Sequence, residues 1–250
     1  MQIKLILSLL MQHVIIGGIN RQEGQDAIHK LNGKFGKDRA HFMDCDVTNE
    51  CDFDNLFTET RRIFGYPDIL FNNAGMLEDK KWSQTVDVNI KGVLLGCFLA
   101  FKYMGKDQEG GKGGVVVNNA SILGFDACAG CPVYNCTKHA VIGITKALGA
   151  EFHYKRTCIR VCSICPGVTN TELVTGAKGR QYMGEWGEET ARQLSQLPQQ
   201  EIGATGQAFM YIVRHGISAE HYIIEGSEVF HAKPPPRQTF STLKRSFKKD

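Results

Sequence analysis

The sequence predicts a single α/β domain built on a doubly wound parallel sheet. Short Val/Ile-rich runs bounded by turn residues recur along the chain, with the unbroken apolar character of strands buried on both faces. Longer segments with room for a helix separate them, and parallel neighbours require such crossovers. A chain of 250 residues, 42% apolar and 22% charged, fits one large domain and excludes a disordered, collagenous or coiled-coil protein.

The elements follow in order. His13–Ile16 is a short β-branched run closed by Gly17-Gly18, and Glu23–Lys30 is the first helical segment. Ala40–Met43 is the next strand and Asp52–Phe64 the helix after it. Asp68–Phe71 leads into Trp82–Met104, and Gly114–Val117 into Tyr134–Tyr154. Ile159–Ile164, Ala204–His215 and Tyr222–Ile224 complete the alternation. No internal repeat or linker interrupts it. The domain is expected to span 1–230, and Pro234-Pro235-Pro236 opens a polar terminal segment, so 231–250 reads as a tail that does not pack.

Charge is distributed unevenly. The net charge is +3, yet the tail holds Lys233, Arg237, Lys244, Arg245, Lys248 and Lys249 against Asp250, which leaves the body slightly acidic. A nucleic-acid-binding body is therefore not expected, and the tail has only Phe240 and Phe247 as stacking partners. No apolar run approaches the ~18 residues of a membrane span. Leu5–Met11 after Lys4 is at the short limit of a signal-peptide core, and no Ala-x-Ala-like site follows. Nine cysteines, an odd number in a chain too large to need staples, favour reduced thiols. A cytoplasmic location is the expectation.

Two Cys-x-x-Cys pairs, Cys128/Cys131 and Cys162/Cys165, raise the question of a zinc site. The second pair lies on a strand, where positions i and i+3 face opposite sides, so the two sulfurs diverge. No metal is expected.

Tyr134 and Lys138 stand one helical turn apart on one face. A tyrosine hydroxyl ionises near 10 and is a poor base at neutrality, while a nearby ammonium favours the phenolate. Ser121 lies thirteen residues upstream, past the end of the Gly114–Val117 strand. Asn72-Asn73-Ala74-Gly75 ends the Asp68–Phe71 strand, and Asn89 sits in the helix that follows. Asp46 and Val47 end the preceding strand, and Pro166-Gly167-Val168-Thr169-Asn170-Thr171 ends Ile159–Ile164. Each signal lies at the carboxyl end of a strand or just beyond it, on the edge where open α/β sheets bind ligands.

This ordered set, over about 13–225, resembles the short-chain dehydrogenase/reductase family, whose sheet is Rossmann-like. It is most similar to the branches that hold the NAD-dependent 15-hydroxyprostaglandin dehydrogenases and the insect alcohol dehydrogenases. The resemblance implies an oxidoreductase moving a hydride between a secondary alcohol, a hydroxy-lipid or similar, and NAD(P). It implies Tyr134 as the general base, Lys138 lowering its pKa and holding the nicotinamide ribose, and Ser121 bonding the reacting oxygen. Asn89 would anchor a proton relay through water and the lysine. Asp46 and Val47 would flank the adenine, and Asn72, Asn73, Ala74 and Gly75 the adenosine ribose. Pro166, Gly167, Val168, Thr169 and Thr171 would stand at the nicotinamide end. Ser121, Cys131 and Tyr134 would meet the substrate, with Glu172–Leu197 as the wider substrate region. The family also implies a homo-oligomer, a homodimer in the simplest case, paired through Trp82–Met104 and Tyr134–Tyr154.

Three departures stand against the pattern. No Thr-Gly-x-x-x-Gly-x-Gly turn is present; Gly17, Gly18 and Gly24 have the wrong spacing. Asp46 follows Gly18 by 28 residues, room for one helix and one strand, so His13–Ile16 takes the place of the family's second strand. The first strand and the phosphate loop are thus expected to be missing, with Leu5–Met11 as the last turns of the first helix. Two arrangements could close the sheet: direct pairing of His13–Ile16 with Asp68–Phe71, or a gap filled by Leu5–Met11. Second, Gly18 stands where NAD-using relatives place an aspartate, and Arg21 nearby could receive a 2′-phosphate, so NADP is kept beside NAD. Third, Cys131 stands where the prostaglandin-type relatives carry glutamine. The alternative reading is a cofactor-deficient form that associates with intact subunits without catalysis.

Overall fold

The computed structural model describes residues 13–233. The readings of Leu5–Met11 and of the tail from Pro234 onward lie outside the described residues. β1 (Val14–Gly18) and β2 (Ala40–Asp44) form a parallel pair, with Val14 opposite Ala40 and Gly18 opposite Asp44. The crossover between them is α1 (Arg21–Phe35), which starts at Asn20, whose side chain accepts the Glu23 N–H, and stops at Gly36 with φ 105°. Asn32 ties this helix to β2: its Oδ1 accepts the N–H groups of Arg39 and Ala40, and its Nδ2 donates to the Ala40 carbonyl. α2 (Glu50–Phe64) is capped by Asn49 and ended by Gly65 in the same way.

The remaining strands are β3 (Ile69–Asn72), β4 (Gly114–Asn119), β5 (Ile159–Pro166), the two-residue pair β6 (Val168–Thr169) and β7 (Gln199–Gln200), β8 (His221–Glu225) and β9 (Glu228–Ala232). Five of them make one sheet in the order β3-β4-β5-β8-β9, parallel except for β9. The helices are α3 (Trp82–Val86), α4 (Gly92–Met104), α5 (Pro132–Leu148), α6 (Glu151–Thr157), α7 (Glu172–Thr175), α8 (Gly184–Ser195) and α9 (Ile202–His215). Both faces of the sheet are covered. Cys97, Ala100 and Met104 of α4 and Val141 of α5 pack on Val116, Val161 and Cys165, joined by Phe53 and Phe57 of α2. On the other face Ala208, Phe209 and Ile212 of α9 pack on Val115, Val117, Cys162, Ile164 and Ile224. Cys162 and Cys165 fall in different layers, as the period of two requires. Among the described residues no group of three metal-ligating side chains comes together.

Each strand read from the sequence is present and ends one or two residues later than expected; β1 and β3 also start one residue later, so β3 is shifted rather than lengthened. The β2-β1 pair and the five-stranded sheet are not hydrogen-bonded to each other among the described residues, and no strand lies between β1 and β3. Direct pairing of His13–Ile16 with Asp68–Phe71 is therefore corrected: β1 pairs only with β2 there. α2 spans the division. Its Leu56 packs so closely on Gly17 of β1 that a Cβ there would come within 2.8 Å of Leu56 Cδ2. Its Phe57 stacks on Tyr103 of α4 with ring centroids 5.3 Å apart.

Two further differences have plain causes. Trp82–Met104 is not a uniform helix: a 3-10 turn, Asp79–Lys81, precedes α3, and a π turn, Asp87–Lys91, separates α3 from α4. The 26-residue stretch Asp79–Met104 is long and apolar enough by composition to cross a membrane, unlike the expectation. Its Val93, Gly96, Cys97, Leu99, Ala100 and Met104 are buried, and several of them pack on the sheet, which makes it a core helix. At the other end β9 pairs with β8 up to Ala232, so the paired backbone runs past 230.

Candidate active site

The loops leaving the carboxyl ends of β3, β4 and β5 meet at one cavity of about 270 Å³. Ser121, Tyr134 and Lys138 line it together, with Asn73 and Gly75 from β3 and Pro166, Gly167, Val168, Thr169 and Thr171 from β5. Leu173, Val174 and Leu194 close its apolar side from α7 and α8, inside the stretch expected to meet substrate.

The reactive side chains are buried. Ser121 caps a short 3-10 turn, its Oγ accepting the Leu123 N–H at 3.2 Å, and it also hydrogen-bonds the Tyr134 hydroxyl. Lys138 Nζ donates to the Asn119 carbonyl at 2.6 Å and stands 5.4 Å from the Tyr134 ring centre. Burial lowers the Lys138 pKa to about 8, opposed by the nearby Cys165. Burial pushes the Tyr134 hydroxyl up, and the Ser121 hydrogen bond only partly opposes that. The sequence reading has Lys138 lowering the tyrosine pKa; in this geometry desolvation outweighs any such effect. Asn119 Oδ1, whose amide nitrogen donates to Asn73 Oδ1 at 3.1 Å, is buried without a partner at the cavity wall.

Other expected site residues stand apart from the cavity lining. Asn89 lies in the π turn; its amide donates to the Met76 carbonyl and to Thr137 Oγ1 and its oxygen accepts the Met76 N–H, behind the Gly75 loop. The Asn72 side chain is buried between strands, donating to Asn118 Oδ1 at 2.9 Å, rather than facing the cavity. Asp46 uses its carboxylate to accept from the N–H and hydroxyl of Thr48, and Val47 packs against Gly92 at the start of α4. Ala74 is exposed outside the lining, and Cys131 is buried in the apolar cluster beneath Tyr134. Arg21 is paired with Asp44 through its Nε at 3.0 Å and through Nη2.

One residue was not foreseen. Asp79 is fully buried, and its carboxylate accepts the N–H groups of Val133 and Tyr134 at 2.8 and 3.1 Å. It therefore caps the first turn of α5, the helix that presents Tyr134 and Lys138. It lies 55 residues from Tyr134 in sequence, so no local pattern announces it.

A parallel sheet whose strand ends bring a serine, a tyrosine and a lysine onto one cavity places the chain among open α/β domains with a ligand site at that edge. The model of the short chain dehydrogenase family matches residues 8–181, and the chain belongs to that family. It is 32% identical to the NAD(+) 15-hydroxyprostaglandin dehydrogenase of Homo sapiens over 167 residues, covering 67% of this chain and 62% of that protein. The chain thus spans less than two thirds of the length of the prostaglandin dehydrogenases it matches. Alcohol dehydrogenase 1 of Ceratitis capitata is 27% identical over 216 residues, 86% of this chain and 82% of that one. The crystal structure of a levodione reductase shares the fold, with a TM-score of 0.74 over 86% of each chain at 22% identity.

Proposed function

We propose that the chain is an oxidoreductase that exchanges a hydride between a secondary alcohol, or the matching ketone, and a nicotinamide dinucleotide. The gathering of Ser121, Tyr134 and Lys138 on one cavity carries this reading. The cofactor supplies the hydride acceptor when bound. The cavity fits its nicotinamide-riboside end: buried Asn119 Oδ1 has no partner, and Lys138 Nζ and the Thr169 and Thr171 hydroxyls offer further polar atoms beside Gly75 and Gly167. Lys138 is the group to hold the ribose, and Val168 and Thr171 to flank the ring. Residues to hold the pyrophosphate are not found between 13 and 233. NAD is favoured over NADP, because Arg21 is engaged by Asp44 and because the prostaglandin dehydrogenase relatives carry NAD(+) in their names.

Tyr134 moves the proton of the substrate hydroxyl, and Ser121, with its oxygen already accepting from Leu123, turns its own proton toward the reacting oxygen. Asn89, in the π turn and braced by Thr137, holds the Met76 backbone in the loop beside Lys138, where a relay through water and the lysine would carry the proton outward. The substrate is small and largely apolar, since Leu173, Val174 and Leu194 face it. Phe98, Phe152 and Tyr154 expose apolar surface on α4 and α6, consistent with pairing of two copies there. Nine free thiols fit a reducing, cytoplasmic setting. Tyr134→Phe is expected to abolish alcohol-dependent NADH formation while circular dichroism stays unchanged; retained turnover would sink the assignment. A second reading, a form that lacks cofactor binding, is favoured by the missing pyrophosphate site among the described residues. Calorimetric titration with NAD and NADP decides: no heat with either would leave that second reading standing.

A further inference from the structure

One sequence motif has no part in the hydride reading. Cys128-Ala129-Gly130-Cys131 forms a turn directly before α5, closed by the Cys131 N–H donating to the Cys128 carbonyl at 3.3 Å. The Cys131 thiol and the backbone N–H groups of Gly130 and Cys131 favour the thiolate at Cys128 and lower its pKa. Closed from residue 131 back to residue 128, the turn holds the two cysteines within the span of one β-turn, with the thiolate favoured at 128 and the protonated thiol at 131.

The turn is rigidly held. Ala129 N–H donates to Gln193 Oε1 at 3.0 Å, and a Cβ on Gly130 would meet Thr190 Oγ1 at 2.3 Å and the Trp186 carbonyl at 2.4 Å. α8 therefore clamps it in place. Cys128 has little exposed surface, yet it lines an open pocket of about 530 Å³ with Pro132, Asn135, Cys136 and His139, so a small thiol reagent has a route to it. Cys131 lies deeper, in the same apolar cluster as Tyr134. Other buried cysteines contrast with Cys128. Burial pushes Cys45 up to about 11, and Cys97, Cys162 and Cys165 up to about 12, whereas the groups around Cys128 bring it below the ordinary thiol range.

We propose that Cys128 and Cys131 are a dithiol–disulfide exchange site on the wall of the active-site domain, with Cys128 as the attacking sulfur, Cys131 as the resolving one and a small-molecule disulfide as the oxidant. The Cys128 thiolate attacks one sulfur of the oxidant; its S–S bond breaks, and one thiolate leaves with the electron pair and is protonated by solvent. Cys131 then gives up its proton, attacks the Cys128 sulfur and displaces the second thiolate. The protein loses two thiols, and the oxidant becomes two thiols. The new bond forms at the residue that precedes α5, three residues from Tyr134.

The full chain equilibrated in oxidised and reduced glutathione, then alkylated and mapped by peptide mass spectrometry, tests this directly. The expected result is joint loss of alkylation at Cys128 and Cys131, with a 128–131 linkage that dithiothreitol reverses. Cys131→Ala should hold glutathione on Cys128 and raise the pH midpoint of Cys128 alkylation above that of the unaltered chain, whereas Cys128→Ala should leave Cys131 unmodified. Both thiols remaining alkylatable at every glutathione ratio would overturn the proposal. So would a linkage from Cys128 to Cys136, or equal glutathione uptake by Cys131 in Cys128→Ala. No step depends on hydride transfer, so an inactive enzyme leaves the test intact.

Discussion

Asp79 and His221 show how single buried polar groups set conditions for the whole site. Asp79 is desolvated, which raises its pKa, and the two N–H groups of Val133 and Tyr134 oppose that rise. Removing the carboxylate leaves both donors buried and unpaired, a loss of about 1–3 kcal/mol. Asp79→Ala is accordingly expected to lower the unfolding free energy by that amount, read as a lower urea midpoint at unchanged slope, and Asp79→Asn, which keeps one acceptor, by less; equal effects would argue against a capping role. His221 is 1% exposed, its Nδ1 lies 2.8 Å from Ser163 Oγ, and its Nε2 has no partner. Burial lowers its pKa from 6.5 to about 4. Above pH 6.5 it is neutral in both folded and unfolded chains and adds no pH dependence. As pH falls, the unfolded chain takes a proton that the fold refuses, so stability declines until about pH 4. Urea unfolding at pH 7 and pH 5 should differ by about 2 kcal/mol from this group, and His221→Gln should remove that difference.

At the level of elements, close approach of helix to strand fixes the strand ends that carry the cavity. Gly96 of α4 sits over Asn72, and a Cβ there would lie 2.2 Å from Asn72 Oδ1. Asn72 in turn bridges to Asn118 on β4, which reaches Thr145 Oγ1 on α5 at 3.0 Å. Gly96→Ala should therefore cost about 1–3 kcal/mol by overpacking, read as a lower urea midpoint with an unchanged slope. Asn72→Ala and Gly96→Ala should combine non-additively, since they share one contact. This network also explains what the sequence could and could not show. Ser121, Tyr134 and Lys138 were legible because each sits at a fixed distance from a strand end or along one helix face. Asn72 looked like a ligand because it shares that edge, but its side chain turns inward to bridge two strands. Gly184–Ser195 went unread because its helical face is only partly apolar, with Gly187, Thr190 and Leu194 as its buried positions. The π turn at Asp87–Lys91 leaves no mark in the residue pattern, since one extra residue in a helix changes hydrogen bonding before it changes periodicity.

At the scale of the molecule, the division between the β2-β1 pair and the five-stranded sheet governs how the domain opens. β4 and β5 are hydrogen-bonded on both sides and buried under α4, α5 and α9. β1 is hydrogen-bonded to β2 alone among the described residues, and its ties to the main body run through α2, by Leu56 on Gly17 and by Phe57 on Tyr103. The Lys102–Asp54 ion pair at 2.6 Å adds little there, because both groups reach solvent. Elements joined to the body by one helix and the short Cys45–Val47 segment open at lower free energy than a core strand does. Native-state hydrogen exchange should therefore show Val14–Gly18 and Ala40–Asp44 exchanging together, through an opening that leaves Val115–Val117 and Val161–Ile164 protected. Phe57→Ala, which removes the α2–α4 stack, should accelerate exchange in β1 and β2 by more than in β4. If β1 instead matches β4 in protection, the two sheets open as one cooperative unit and the division between them does not govern opening.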